Sequence, residues 1–117
     1  MISEMLGKTL TAVEQSEYEI IFTCDDGAKY RMYHSQDCCE YVYIESIDGE
    51  LQDLVGSPVT MAEEVSSFDP PPFPGLYEPE SYTWTFYKLA TVNGYVTIRW
   101  FGSSNGYYGE RADVELM

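Results

Sequence analysis

The sequence predicts a mainly β fold: a twisted antiparallel meander sheet, rolled into a small sandwich or open barrel, with one short helix. Three observations predict it. Apolar and polar residues alternate with a period of two through most of the chain, which is typical of half-buried strands. Asp-Gly and Asn-Gly pairs separate several of these runs and favour β-hairpins. Aromatic residues, which are common in strands, make up 15% of the chain and include eleven tyrosines.

The first half of the chain contains four predicted strands, over residues 8–13, 18–24, 28–34 and 41–47. Asp25-Asp26-Gly27 is the predicted turn of a hairpin between the second and third strands, because these residue types tolerate positive φ.

The middle of the chain departs from this alternation. Asp48 is predicted to cap a short helix that Gly56 ends, with Leu51, Leu54 and Val55 sharing one face. Residues 59–68 are predicted as a polar strand or an irregular sheet edge. Residues 69–75 are predicted as a loop, since their prolines have no N–H for a strand ladder.

The last third predicts two long strands, over residues 81–92 and 95–101, joined by an Asn93-Gly94 turn. Paired residue numbers across that turn sum to 187. This register places Trp100 opposite Tyr87, and Trp84 opposite Ser103. A second turn at 105–106 is predicted to lead into a terminal strand near 112–116.

Length and composition indicate one domain over residues 1–117, since domains typically contain about 100–150 residues. There are 20 Asp and Glu residues against six Lys and Arg, for a formal net charge of −14. Such a charge disfavours direct contact with nucleic acid or an anionic membrane, and it favours a basic protein partner.

The acidic residues are unevenly distributed. No Lys or Arg occurs from Met32 to Tyr87, whereas eleven carboxylates do, so nearly half the chain is predicted to be acidic without local neutralisation. The residues predicted to bind a partner are Glu45, Glu50, Asp53, Glu63 and Glu64. The alternative is that these carboxylates form only a solvated surface.

The sequence predicts a cytoplasmic protein. No apolar run approaches the roughly 20 residues of a membrane span, and the first residues do not have the pattern of a signal peptide. Cys24, Cys38 and Cys39 are an odd number with two adjacent members, which favours reduced thiols over a disulfide framework.

The densest group of reactive side chains is at residues 34–40, His-Ser-Gln-Asp-Cys-Cys-Glu. His34 and Cys38 could contribute to a zinc site, but only Cys24 remains to complete the ligand set. A cysteine nucleophile activated by His34 is a second alternative. We favour a structural role, in which His34 ends a strand and the cysteines are small buried residues. The sequence therefore predicts no catalytic residue, no metal and no cofactor.

Other patterns are less specific. Asp48 to Asp53 lacks the ligand spacing of a calcium loop. Glycoside hydrolases use two carboxylates at a defined separation, and the sequence does not single out such a pair among its 20 acidic residues. The aromatic hairpin could stack bases, but only Lys88, Arg99 and Arg111 are near it in sequence, whereas binders of single-stranded nucleic acid combine aromatic residues with a basic groove.

Three blocks of the sequence carry a resemblance to a known family. They are residues 34–40 (HSQDCCE), residues 81–87 (SYTWTFY), and the pair IRW at 98–100 with SNGYY at 104–108. In this order they resemble a family of small uncharacterised proteins found in bacteriophages, and the similarity spans about residues 6–108. The resemblance implies an accessory protein that acts inside an infected bacterium, with no established activity.

The charge and the resemblance together predict a non-enzymatic inhibitor of a basic host protein that binds nucleic acid. Restriction and CRISPR proteins are targets of this type, and a surface rich in carboxylates can mimic DNA in their basic clefts. The alternative prediction is a domain that binds or sequesters a small molecule, or an enzyme that uses the Cys38 and His34 region.

Overall fold

The computed structural model describes residues 1–36, 39–67, 81–104 and 109–117, and within them the chain forms eight β-strands. The strands are β1 (Leu10–Gln15), β2 (Glu19–Cys24), β3 (Lys29–Tyr33), β4 (Tyr41–Asp48), β5 (Met61–Ser67), β6 (Ser81–Thr91), β7 (Gly94–Ser104) and β8 (Asp113–Leu116). They make two antiparallel sheets of four strands each, which confirms the mainly β fold in its sandwich form. The predictions at 37–38, 69–75 and 105–106 lie outside the described residues.

Sheet 1 has the strand order β1-β2-β3-β8. Its β2–β3 hairpin confirms the predicted turn, since residues 25–27 connect the strands and the Cys24 amide donates to the Ala28 carbonyl at 2.8 Å. Gly27 has a φ of +89°. A residue with a Cβ atom would destabilise the fold in this conformation.

Sheet 2 has the order β4-β7-β6-β5, a Greek-key arrangement in which β5, β6 and β7 follow one another and β4 returns beside β7. The chain crosses from one sheet to the other between β3 and β4, and again before β8, so the antiparallel strands form the two layers of the predicted sandwich. Each sheet buries one face against the other. The predicted polar edge strand is confirmed as β5.

The core lies between the two sheets. Its largest fully buried members are Trp100, Tyr87, Phe22, Met5, Leu10, Ile20, Met32, Leu54, Leu89 and Ile98. Met5 belongs to a 3₁₀ helix at Ile2–Met5, and Leu54 to a second one at Leu51–Leu54. None of the helical segments in the described part of the chain is long and apolar enough to cross a bilayer.

The second 3₁₀ helix replaces the predicted capped helix. Asp48 is the last residue of β4 and does not cap it, and no side chain caps the first residue of this segment. Gly49, with a φ of +104°, turns the chain out of the strand, and Val55 already bridges to Leu10 of β1. The few residues between these two points leave room only for a single tight turn.

The register of the β6–β7 hairpin differs from the prediction. Thr91 pairs with Gly94, so paired numbers sum to 185, and the loop residues are Val92 and Asn93. Neither loop residue has a positive φ, so this is not the Asn-Gly turn that the sequence suggested. The Asn93 amide donates to the Thr91 hydroxyl, and a Cβ on Gly94 would lie 2.8 Å from Asp53 Oδ2. A side chain on Gly94 would therefore crowd that of Asp53.

This register places Trp84 opposite Phe101 and Trp100 opposite Thr85. Paired residues of antiparallel strands point to the same face, and consecutive residues point to opposite faces. Trp100 thus lies in the core between the sheets, and Trp84 lies on the outer face of sheet 2.

Candidate interaction surface

The five carboxylates predicted to bind a partner do not share one face. Glu50 and Asp53 are exposed around the Leu51–Leu54 helix, at the end of sheet 2 that holds the β6–β7 turn. Glu45 lies on β4, at one edge of the sheet. Glu63 and Glu64 are consecutive residues of β5, at the other edge, so they point to opposite faces. The structure brings Glu50 and Asp53 together and separates the others.

Two of these carboxylates are neutralised, contrary to the expectation from sequence. Arg99 Nη1 lies 3.3 Å from Glu45 Oε2, and Arg111 Nη2 lies 2.8 Å from Glu64 Oε2. Glu64 also accepts a hydrogen bond of 2.8 Å from the Tyr87 hydroxyl. Both arginines come from outside the acidic stretch: Arg99 lies on β7 beside β4, and Arg111 lies in the segment before β8. Counting charges along the chain therefore missed these ion pairs.

A continuous aromatic surface covers part of the outer face of sheet 2. It consists of Tyr41, Tyr43, Tyr82, Trp84, Phe86 and Phe101. Centroids of neighbouring rings lie between 4.6 and 6.5 Å apart, a separation at which aromatic rings attract one another. Phe101 lies at its centre and contacts Tyr43, Tyr82 and Trp84.

The middle of the aromatic surface is buried although it lies outside the core. Trp84 is 5% exposed and Phe101 is 4% exposed, yet neither belongs to the cluster between the two sheets. The aromatic surface was not predicted from the sequence. The signal for it was that large side chains occupy both odd and even positions within 81–87, which indicates a strand with two apolar faces.

Arg99 lies over the aromatic surface. Its Cζ atom is 5.8 Å from the Trp84 ring centroid and 5.6 Å from that of Phe86, while Nη1 reaches Glu45. A guanidinium is attracted to an aromatic face and to a carboxylate at the same time. This part of the surface therefore already binds one arginine.

The edge of the aromatic surface is open to solvent. Tyr41 is 56% exposed, and Tyr18, from the turn between β1 and β2, is exposed beside it. The Glu17 carboxylate raises the pKa of Tyr18, and Tyr41 adds to this effect. Burial, with smaller contributions from Tyr41 and Glu45, raises the pKa of Tyr43. The site thus presents neutral phenols beside carboxylates.

The His34 region has a structural geometry. The His34 side chain is almost fully buried, and its Nδ1 atom lies 2.7 Å from the Arg111 carbonyl oxygen, to which it donates. Nε2 lies 3.4 Å from Glu40 Oε2, and that carboxylate is fully buried and accepts a hydrogen bond from Gln36. These contacts connect the end of β3, the start of β4 and the segment before β8. They favour the predicted structural role of His34.

The cysteines differ from the expectation in part. Cys24 is a buried free thiol, but Cys39 is disulfide-bonded, so reduced thiols are wrong at that position. Within the part of the chain that the structure describes, no group of three His, Cys, Asp or Glu side chains is placed to hold a metal ion. That the protein folds without metal stays a prediction.

Cavities lie elsewhere among the described residues. One, of about 290 Å³, opens between β5, β6 and β8, where Glu64, Tyr87, Arg111 and Asp113 contribute its polar lining. Burial, and then the hydrogen bond to Glu64, raise the pKa of Tyr87 well above its usual value, so its phenol is neutral there. A second, of about 320 Å³, lies beside Glu50 and Gln15. His34 lines neither cavity.

Comparison with known proteins places the chain in a family. Residues 3–114 match DUF7448, a domain of unknown function, and the chain belongs to this family. The match confirms the predicted membership of an uncharacterised family and leaves the bacteriophage origin untested. No curated protein and no solved structure matches the chain.

Proposed function

We propose that this chain is a non-enzymatic protein that binds a basic, nucleic-acid-binding protein of the host. The observation that carries the proposal is the uncompensated acidic charge. Four of the six basic side chains, Lys8, Arg31, Arg99 and Arg111, already pair with carboxylates of the same chain. Since six basic residues can balance at most six of 20 acidic ones, the net charge of −14 is available to attract a basic partner.

The proposed mechanism is competition with DNA. Duplex DNA carries one negative charge per about 1.7 Å of helix axis, and the proteins that bind it present basic clefts. A rigid sandwich with exposed carboxylates occupies such a cleft in place of DNA. We propose the setting implied by the family resemblance: a bacteriophage accessory protein of the anti-restriction or anti-CRISPR type, acting in the host cytoplasm.

Among the proposed binding residues, Glu50 and Asp53 have the strongest support. Both are exposed at the same end of sheet 2, and Asp48 at the end of β4 adds a third exposed carboxylate nearby. Glu63 is exposed at one edge of the outer face, and Glu45 lies at the other edge, where Arg99 already engages one of its oxygens. Glu64 has the least support, because Arg111 and Tyr87 already engage its carboxylate.

The test compares two variants that each lose four negative charges. In the first, Glu45, Glu50 and Glu63 are replaced by Gln and Asp53 by Asn. In the second, the changes are made on or beside sheet 1, at Glu14, Asp25, Asp113 and Glu115, which are also exposed. Host proteins retained on the immobilised chain at low salt are identified, and their association rates are measured.

We expect the retained protein to be basic, to be displaced by duplex DNA, and to dissociate as salt rises, because exposed charges are screened over about 8 Å at physiological ionic strength. The first variant should slow association about tenfold more than the second, since steering acts on the on-rate. An acidic retained partner, or equal effects of the two variants, would contradict the proposal.

The 290 Å³ cavity supports a second candidate, a domain that binds a small molecule. Its lining combines a guanidinium, two carboxylates and a buried phenol with the apolar side chains of Ile2, Ala62 and Val114, which is the mixture found in ligand sites. A Tyr87→Phe variant that loses a bound metabolite detected by native mass spectrometry would favour this candidate. Identical spectra without bound ligand for both proteins would count against it.

A further inference from the structure

Two exposed tyrosines mark the place where the two sheets meet beside the aromatic surface. Tyr41 begins β4 in sheet 2, and Tyr18 lies in the β1–β2 turn of sheet 1. The ring centroids of Tyr41 and Tyr43 are 4.9 Å apart and the ring planes are tilted by 47°, so the two rings contact each other at an angle. Exposed tyrosines are enriched in the centres of protein interfaces, because each provides a large contact area at low cost in conformational entropy.

Carboxylates flank these rings on both sides. Glu17 precedes Tyr18 in the turn and is exposed, and Glu45 follows Tyr43 along β4. The two carboxylates act on the rings electrostatically, since Glu17 raises the pKa of Tyr18 and Glu45 contributes to that of Tyr43. We call Glu17, Tyr18, Tyr41, Tyr43 and Glu45 the tyrosine site.

At two other places in the molecule, an aromatic ring beside a carboxylate binds a guanidinium. On sheet 1, the Arg31 Cζ atom lies 3.9 Å from the Tyr33 ring centroid, and its Nε atom lies 2.7 Å from Glu19. On sheet 2, Arg99 lies over Trp84 while its Nη1 atom reaches Glu45. In both places a guanidinium lies over at least one aromatic ring and pairs with one carboxylate. Among the described residues, no cation lies over the rings of the tyrosine site.

We propose that the tyrosine site is a docking site for arginine side chains of a basic protein partner. This inference rests on the proposed function and names the chemistry of recognition. A partner guanidinium stacks on Tyr41 and donates to Glu17, or to the second oxygen of Glu45, because Arg99 already occupies Oε2 of that carboxylate. Proteins that bind nucleic acid expose arginines on their binding surfaces, so the acidic charge attracts the partner and the tyrosine site holds it.

The distinguishing expectation is a preference for arginine over lysine. General charge attraction does not discriminate between the two cations. A planar guanidinium stacks on a ring while it donates to a carboxylate, whereas an ammonium group is more strongly hydrated and has no plane to stack. The preference therefore separates stacking at the tyrosine site from the attraction of an acidic surface.

The probes are a short oligoarginine peptide and an oligolysine peptide of equal length and charge. Their affinities for the chain, and the residues they contact, are measured by nuclear magnetic resonance. The test variant is Tyr41→Ala, and Tyr41→Phe keeps the ring. The control is Tyr95→Ala, because Tyr95 is 49% exposed at the opposite end of the same sheet face. Dispersed amide spectra verify that each variant is folded.

We expect oligoarginine to bind about tenfold more tightly than oligolysine and to shift resonances of Tyr18, Tyr41 and Tyr43. Tyr41→Ala should weaken this binding by about fivefold or more, whereas Tyr41→Phe and Tyr95→Ala should change it less than about twofold. Equal affinity for the two peptides, with equal effects of the two alanine variants, would overturn the tyrosine site but leave the charge-driven proposal intact. Failure of both peptides to bind at low salt would overturn both.

Discussion

The outer faces of the two sheets differ in how they use charge. On sheet 1, Arg31 pairs with Glu19 at 2.7 Å, and the Tyr33 hydroxyl donates to Glu115 at 2.7 Å. On sheet 2, the corresponding face carries the aromatic surface, with Arg99 and Glu45 as an ion pair at 3.3 Å. Sheet 1 pairs these polar groups across neighbouring strands, whereas sheet 2 combines one such ion pair with an aromatic surface that is exposed at its Tyr41 edge.

This difference has a consequence for stability and for function. On a face of exposed ion pairs, solvent screens the charges, so the pairs contribute little to the free energy of folding. A face that buries Trp84 and Phe101 outside the core adds apolar burial, and its exposed edge remains available to a partner. The proposed interaction surface therefore lies mainly on sheet 2, and sheet 1 contributes the β1–β2 turn with Tyr18 to it.

The largest expected effect comes from removing a ring from the middle of the aromatic surface. Trp84→Ala should destabilise the protein by about 3–5 kcal/mol, as for a buried aromatic residue in a core. Arg31→Ala, on the outer face of sheet 1, should cost less than about 1 kcal/mol. Urea unfolding of both variants measures the difference. Similar losses for the two would show that the outer faces are energetically equivalent.

Alanine substitution of a hairpin glycine should destabilise the two sheets for different physical reasons. Gly27→Ala in sheet 1 should cost about 1 kcal/mol through its positive φ, because nothing lies within 4 Å of the added Cβ. Gly94→Ala in sheet 2 should cost a similar amount through contact with the Asp53 side chain. Adding Asp53→Gly should therefore reduce the cost of Gly94→Ala but not that of Gly27→Ala. An additive double-mutant cycle for the first pair would contradict the close-approach account.

These two turns also show how far the sequence predicts the fold. The strands were predictable from alternation, and Asp25-Asp26-Gly27 from its own turn chemistry, because both signals are local. The loop at Val92 and Asn93 was not predictable, since its position depends on Thr91 donating to the Asp53 carbonyl and on Asp53 lying against Gly94. Tertiary contacts from a segment 38 residues away set that register.

The candidate site was predictable only in part. Glu50 and Asp53 are neighbours in sequence and remain neighbours in the structure. The ion pairs of Glu45 and Glu64 depend on arginines that are distant in sequence. The tyrosine site unites a turn of sheet 1 with a strand of sheet 2, so no local pattern could have assembled it.

The tyrosines of the two faces should respond differently to alkaline titration. The hydrogen bond to Glu115, foremost, raises the pKa of Tyr33, whereas burial raises that of Tyr43. Glu115→Ala should therefore lower the pKa of Tyr33 and leave that of Tyr43 unchanged, as measured by resonance shifts. Since both pKa values are raised on folding, their stabilising contribution is present below about pH 10 and is lost as the pH rises further. Equal shifts at the two tyrosines would contradict these assignments.

The smallest expected effects concern the exposed ion pairs. Glu19→Gln should cost a few tenths of a kcal/mol, up to about 1 kcal/mol, and Glu45→Gln should cost less because its ion pair is longer. Both costs should fall at high salt, which screens exposed charges. Urea unfolding at low and high salt measures them. A larger loss for Glu45→Gln would show that Arg99 depends on its carboxylate more than on the rings.

Hydroxyl-radical footprinting of the complex with the partner retained from host lysate tests most directly which face binds. Tyr41 and Tyr33 serve as reporters, one on the outer face of each sheet, and mass spectrometry measures their modification in the free and bound protein. We expect modification of Tyr41 to fall several-fold on binding and that of Tyr33 to remain unchanged. Protection of Tyr33 with unchanged modification of Tyr41 would assign the interaction to sheet 1 and contradict the central claim.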